Sequence, residues 1–162
     1  MTPAGLAQLA RDEGCRLRAY PDDGGVWTIG YGCTGATIGP GLVWSQAEAD
    51  AELAARVAQT EAGLARAWAP LDGLGPVRRD VLVNIAFNIG VEGLMRWPLT
   101  LAAAGAGRFA QAADDIAGNG VWSRQVGARA ERCAQAMRTG AWGVAETSDA
   151  YGAAASRAAT EG

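Results

Sequence analysis

The sequence predicts an α+β chain that is mainly α, with a small sheet near its N-terminus. Three observations carry that reading. A β-branched and aromatic run, Val26-Trp27-Thr28-Ile29, follows the turn Pro21-Asp22-Asp23-Gly24-Gly25, in which proline supplies a fixed φ and the glycines a permissive one. From residue 45 onward, apolar residues recur at helical spacing. Glycine and proline punctuate these stretches, as helix ends require.

Thr2 is a natural N-cap, with Pro3 at the first helical position, where a missing N–H costs nothing. Leu6, Leu9 and Ala10 give this helix one apolar face, and Gly14 stops it, leaving Glu13 in the last turn. Residues 16–38 read as a small antiparallel sheet with Arg18, Tyr20, Val26, Thr28 and Tyr31 in strands. Ser45-Gln46-Ala47-Glu48 is a capping box. It opens a helix that runs to about Ala69, before Pro70; at roughly 23 residues this helix spans about 35 Å. Leu53, Val57, Leu64 and Trp68 make its apolar stripe, while Glu52 and Arg56 stand in the favourable i, i+4 order. Gly75-Pro76 opens a helix ending at Gly90 that is apolar around much of its circumference, as a central buried helix should be. Shorter helices follow at 91–96, 99–104 and 108–117, and a last amphipathic one covers 126–138. Residues 143–162 are small and polar and read as a tail that frays or forms one more Ala-rich helix, with no function assigned.

Composition narrows the chemistry. With 162 residues, 49% of them apolar and 19% charged, the chain can bury one good core, or a small lobe on a larger one. Every basic residue is Arg, and His is absent. Ser-His-Asp triads, Cys-His nucleophiles and His-ligated metal sites are therefore excluded. A formal charge of −3 speaks against nucleic acid as a partner. Cys15, Cys33 and Cys133 show no CxxC and no metal spacing, and read as reduced thiols. No secretory signal precedes the first helix, and no apolar run approaches the ~20 residues of a membrane span. The expectation is a monomer made in the cytoplasm, without stable membrane association, metal or cofactor.

Glu13 and Asp22 sit on facing pieces of the folded-back N-terminal unit. Two carboxyl groups are the minimum equipment for hydrolysing a glycosidic bond. Their spacing alone says little; its setting makes it specific. EGCRLRAYPD followed by GGVWTIGYG resembles the signature of the phage-type lysozymes, the T-even and lambdoid phage endolysin family. RRDVLVNIAFNIG, GRFAQAADDI, and then Trp122, Arg129 and RTGAW extend the likeness over residues 2–142. The resemblance implies a lysozyme-like two-lobed fold in a single domain, 1–142. A small sheet lobe (12–44) and a helical lobe (70–142) are joined by a long connecting helix (45–69). It also implies a catalytic constellation of Glu13, Asp22 and Thr28. Arg129 matches the family arginine that approaches the glutamate, Asn88 falls on the cleft floor, and Tyr31 joins them as a substrate-binding candidate. Asp12 and Asp23 fall outside the pattern and read as exposed.

The function so implied is a muramidase that cleaves the β-1,4 bond between N-acetylmuramic acid and N-acetylglucosamine in peptidoglycan glycan strands. Glu13 is the general acid, Asp22 takes a proton from or orients the attacking water, and Thr28 positions that water. This is the inverting scheme, which places the carboxyls about 6.5–9.5 Å apart rather than the roughly 5–5.5 Å of a retaining enzyme. The expected setting is an endolysin in the host bacterial cytoplasm, released to the wall through a separate holin. Two departures stand out. The family reads GYGHT where this chain reads GYGCT, which puts the stabilising contact of that His in question. Cys15 lies two residues after Glu13, where members carrying an N-terminal membrane signal use Cys for disulfide control; a Cys15–Cys33 disulfide is the minor alternative to free thiols. Cys133 reads as a small core residue. Two other functions are weighed: a catalytically silent peptidoglycan-binding module, and a lytic transglycosylase. The presence of Glu13, Asp22 and Thr28 together argues against the first, and Asp22 against the second.

Overall fold

The Thr2 side chain accepts the Gly5 N–H, with Pro3 at the first helical position, and opens α1 (Pro3–Glu13). Gly14, at φ 66°, ends it; a residue with a Cβ resists that conformation. The chain then reverses into a three-stranded antiparallel sheet, β1 (Arg16–Pro21), β2 (Trp27–Gly30) and β3 (Cys33–Thr34), ordered β1-β2-β3. Tyr20 lies opposite Thr28 and Pro21 opposite Trp27, and the register shifts between Arg16 and Tyr20. In the computed structural model these elements belong to the described residues 1–143. The frayed or helical tail expected from the sequence falls on 144–162 and lies outside them.

Ser45 and Glu48 form the reciprocal capping box that starts α2 (Gln46–Ala67). The helix stops two residues short of the sequence expectation and passes through Trp68 into a 3-10 turn, Ala69–Gly73. Trp68, at φ −145° and ψ 90°, is where the backbone leaves the α region, two residues ahead of Pro70, which has no N–H to continue the helical ladder. Next comes α3 (Pro76–Ile89), whose residues Asp80 to Ala86 are all buried. It is the central helix that its all-round apolar pattern predicts.

The helical lobe continues through α4 (Val91–Met95), α5 (Pro98–Gly105) and α6 (Phe109–Ala117). The final helix expected over 126–138 is α8 (Ala128–Thr139), and the short α7 (Trp122–Val126) before it is a helix the sequence did not suggest. Gly127, at φ 53° and ψ −126°, breaks them. No L side chain adopts that backbone readily, so α8 starts only after this glycine.

Two apolar clusters result. A small one holds Ala19, Ile29 and Cys33 under the sheet. A large one runs from Leu9 through α2 and α3 to Cys133 and Met137 of α8. Trp44 packs against both. The architecture is thus two-lobed, α+β and mainly helical. Among the described residues, no helix is long and apolar enough to cross a membrane.

One buried carboxylate ties α1 to this mass. Asp80 of α3 accepts the Thr2 N–H at 2.9 Å and also the Thr2 hydroxyl, with the Trp142 indole N–H at 3.4 Å. A Cβ on Gly5 would lie only 2.2 Å from Asp80 Oδ2, so glycine there is a packing requirement. Among the described residues, Glu52 and Arg56 form no ion pair, contrary to the i, i+4 expectation. Arg56 turns instead to the sheet lobe. Its Nη1 donates to the Tyr31 carbonyl at 3.1 Å and to Cys33 Sγ at 3.3 Å, while its guanidinium lies 4.7 Å from the Phe87 ring of α3. Those three contacts outweigh one exposed ion pair worth a few tenths of a kcal/mol.

Candidate active site

Glu13 is the last residue of α1, so Gly14 turns the backbone away just as the carboxyl side chain emerges. The side chain is one-fifth exposed and meets Arg129 of α8, whose Nη1 donates to Glu13 Oε1 at 2.8 Å. Arg129 itself is buried. Its other two nitrogens go to α3: Nε donates to Asn84 Oδ1 at 2.9 Å and Nη2 to the Asn84 carbonyl at 3.1 Å. A guanidinium with every nitrogen bonded in its fixed plane has one geometry open to it.

Asp22 starts the tight turn between β1 and β2. Its Oδ1 accepts the Gly24 N–H at 2.9 Å and the Val26 N–H at 2.8 Å, the short-range bonding that makes Asp a turn former. Thr28 is buried on β2, and its hydroxyl donates to the Val26 carbonyl at 3.1 Å. That carbonyl also accepts the Asp22 N–H at 2.9 Å. Asp22 and Thr28 are therefore both fastened to the peptide groups of Val26. With its proton committed, the Thr28 oxygen is left as an acceptor for a donor such as water.

The remaining candidates are placed differently. Asn88, exposed at the end of α3, accepts the Trp122 indole N–H through Oδ1 at 2.8 Å. Trp122 packs edge-on against Trp97, with ring centroids 5.4 Å apart. Tyr31 is buried, and its hydroxyl donates to Asp50 Oδ1 at 2.8 Å and accepts from Gln46 Nε2 at 3.1 Å. Burial and the Asp50 bond push this hydroxyl up to about 12. It braces the sheet lobe against α2. Among the described residues, no hydrogen bond joins the Glu13–Arg129 pair to the Asp22–Thr28 unit, and no group of His, Cys, Asp or Glu is arranged to hold a metal ion.

Compared with known proteins, residues 10–138 match the phage lysozyme family, a span that includes every candidate above. The chain belongs to the phage lysozyme family. An endolysin of Acyrthosiphon pisum secondary endosymbiont phage 1 is 38% identical over 88 residues. That stretch covers 54% of this chain and 58% of the endolysin, so the matched region spans little more than half of the relative's length.

In this phage lysozyme family member the sequence reading missed two residues and misplaced one. Asp12 was read as exposed, yet its side chain is only 1% exposed. Its Oδ1 accepts from Arg132 Nη2 at 2.7 Å and Gln8 Nε2 at 2.9 Å, and its Oδ2 from Asn84 Nδ2 at 3.2 Å. Burial costs a carboxylate several kcal/mol unless it is so paired, and the partners supply that pairing. Asn84, fully buried at the centre, and Arg132 are the residues missed. An Asn amid the apolar run of α3 was the available signal, since a buried amide must find partners. All three thiols are free. Cys33, in place of the family His, accepts from Arg56, so a polar contact persists there. Cys133 is core, its thiol pushed up to about 12 by burial.

Proposed function

We propose that this chain is a phage endolysin, a muramidase that hydrolyses the β-1,4 bond between N-acetylmuramic acid and N-acetylglucosamine in peptidoglycan. The observation that carries the reading is the Glu13 carboxyl on a buried, fully bonded Arg129. Membership of the phage lysozyme family supports it. Glu13 donates its proton to the glycosidic oxygen as that bond breaks. The carboxylate left behind meets Arg129 Nη1, a charge-assisted bond already in place when the anion forms.

Asp22 acts from the sheet side. Its Oδ1 is tied to two backbone N–H groups, leaving Oδ2 to accept a proton from, or orient, a water attacking the anomeric carbon. The Thr28 oxygen accepts that water's second hydrogen. The scheme is inverting, with one displacement and no glycosyl-enzyme intermediate. Residues 1–142 act as one catalytic domain, with the substrate strand between the sheet lobe (12–44) and the helical lobe (70–142) and the helix of 45–69 connecting them. Asn88 and Tyr31 serve this cleft by contact and by bracing. The enzyme works as a monomer from the host cytoplasm and reaches the wall through a separate holin.

Clearing of purified cell walls by the protein, beside Glu13→Gln and with and without reductant, tests this. Gln keeps the size and an acceptor for Arg129 but carries no acidic proton. Clearance should fall by at least about 10²–10⁴-fold. New reducing ends, initially α, identify an inverting muramidase. Anhydro sugars as product, or wall binding without cleavage under either condition, overturn it.

A further inference from the structure

We propose that Asp12, the acidic residue adjoining the general acid, is a positioning residue: it locks Arg129, and Arg129 in turn fixes Glu13. This rests on the muramidase reading for its kinetic consequence but not for its structural one. The two neighbouring carboxylates of α1 meet α8 in opposite ways. Glu13 reaches one nitrogen of Arg129 from the solvent side. Asp12 is sealed in, with Arg129 Nε 3.8 Å from its Oδ2 and Arg132 Nη2 2.7 Å from its Oδ1.

Asn84 connects the two. Its Nδ2 donates to Asp12 Oδ2, while its Oδ1 accepts from Arg129 Nε and from the Cys133 thiol at 3.6 Å. The amide orientation is therefore set by Asp12: a carboxylate can only accept, so Nδ2 must face it and Oδ1 must face Arg129. If Asp12 became an amide, one of its two ends would present N–H groups to Asn84 Nδ2, or to Arg132 and Gln8, all of which are donors. The Asn84 side chain could then turn, and Arg129 would lose the acceptor of its Nε, one of the three that fix its plane. Because the reacting proton sits one hydrogen bond further on, at Glu13, a small rotation of the guanidinium displaces the acid itself. Misplacement on that scale is worth about ten- to a hundred-fold in rate.

The clamp can also be loosened from outside. Arg132 is 45% exposed and holds only the far oxygen of Asp12. Arg132→Gln should fold normally and give the same defect in weaker form.

Two readouts test the proposal. In 15N-labelled full-length protein the Arg129 side-chain Nε–H resonance, identified by its loss in Arg129→Lys, should exchange slowly with solvent. Exchange should be at least about tenfold faster in Asp12→Asn, and intermediate in Arg132→Gln. On solubilised uncross-linked glycan strands, Asp12→Asn should lower kcat by about tenfold or more with KM within about twofold. In an Arg129→Gln background the same change should have no further effect on kcat, because Asp12 acts only through Arg129. Unchanged Arg129 exchange in both variants overturns the proposal whether or not the protein is active. So does an additive double variant, or a fall in thermal stability with kcat untouched. An inactive wild type that keeps the exchange pattern would instead count against the muramidase reading and leave the clamp standing.

Discussion

Asp22 commits one carboxylate oxygen to structure, and the proposed mechanism gives the other to chemistry. Oδ1 holds the turn through the Gly24 and Val26 N–H groups, and an Asn side chain can do the same with its carbonyl oxygen. Asp22→Asn is therefore expected to fold within about 0.5 kcal/mol of the native protein, while wall clearance falls by about 10²–10⁴-fold. Urea unfolding and a clearing assay on the same preparation measure both. The turn that holds Asp22 and Thr28 and the helix end that presents Glu13 were legible because they lie within one short stretch whose turn residues can be read directly. Asp12 was not. Its bonding partners on α3 and α8 are 72 and 120 residues away, and nothing local marks a surface-type residue as buried. Arg129 and Asn88 entered through family likeness alone, and only the fold gives them partners.

Among the elements, α2 was read most completely, because its start is written in four consecutive residues. Ser45 Oγ accepts the Glu48 N–H, and Glu48 Oε2 accepts the Ser45 N–H at 2.7 Å. Ser45→Ala should destabilise the protein by about 1 kcal/mol. The reciprocal half depends on pH. The Ser45 backbone N–H, then its hydroxyl, hold the Glu48 carboxyl below its ordinary value of 4.5. A carboxyl lowered in the folded state stabilises above its unfolded value and loses that contribution as pH falls through the folded one. The gap between Glu48→Gln and native protein should thus be full at pH 7, begin to shrink as pH falls below 4.5 and close once pH is under the lowered folded value, as read by urea unfolding across that range. Helix ends marked by Gly14, Pro70 and Gly90 were similarly visible. The short α7 was not, since five residues with Trp122 as the buried one carry no helical period to read.

For the whole molecule, the decisive contacts join distant parts of the chain. Asp80 gathers Thr2 and Trp142 on α3, anchoring the start of α1 while Arg129 holds its other end. Asp80→Asn replaces one acceptor with a donor facing Thr2 or Trp142. It should cost about 1–3 kcal/mol, measured by urea unfolding. It should also weaken clearance only as far as the folded fraction falls. Two-lobed, mainly helical architecture was readable from the long capped helix and the glycine-rich sheet stretch, because both are periodic signals. Which buried charges close the lobes on one another was not, for it depends on meetings across the full chain length.

That the Arg129–Glu13 pair spans 116 residues matters while the protein is being made. Chains are synthesised and fold from the N-terminus, so Glu13 and the whole sheet leave the ribosome long before the arginine that holds the Glu13 carboxyl. A nascent chain, or one cut short before α8, carries Glu13, Asp22 and Thr28 on a scaffold with nothing to aim the first of them. On the proposed mechanism a premature fragment is thereby left without an assembled site, and competence arrives only with α8.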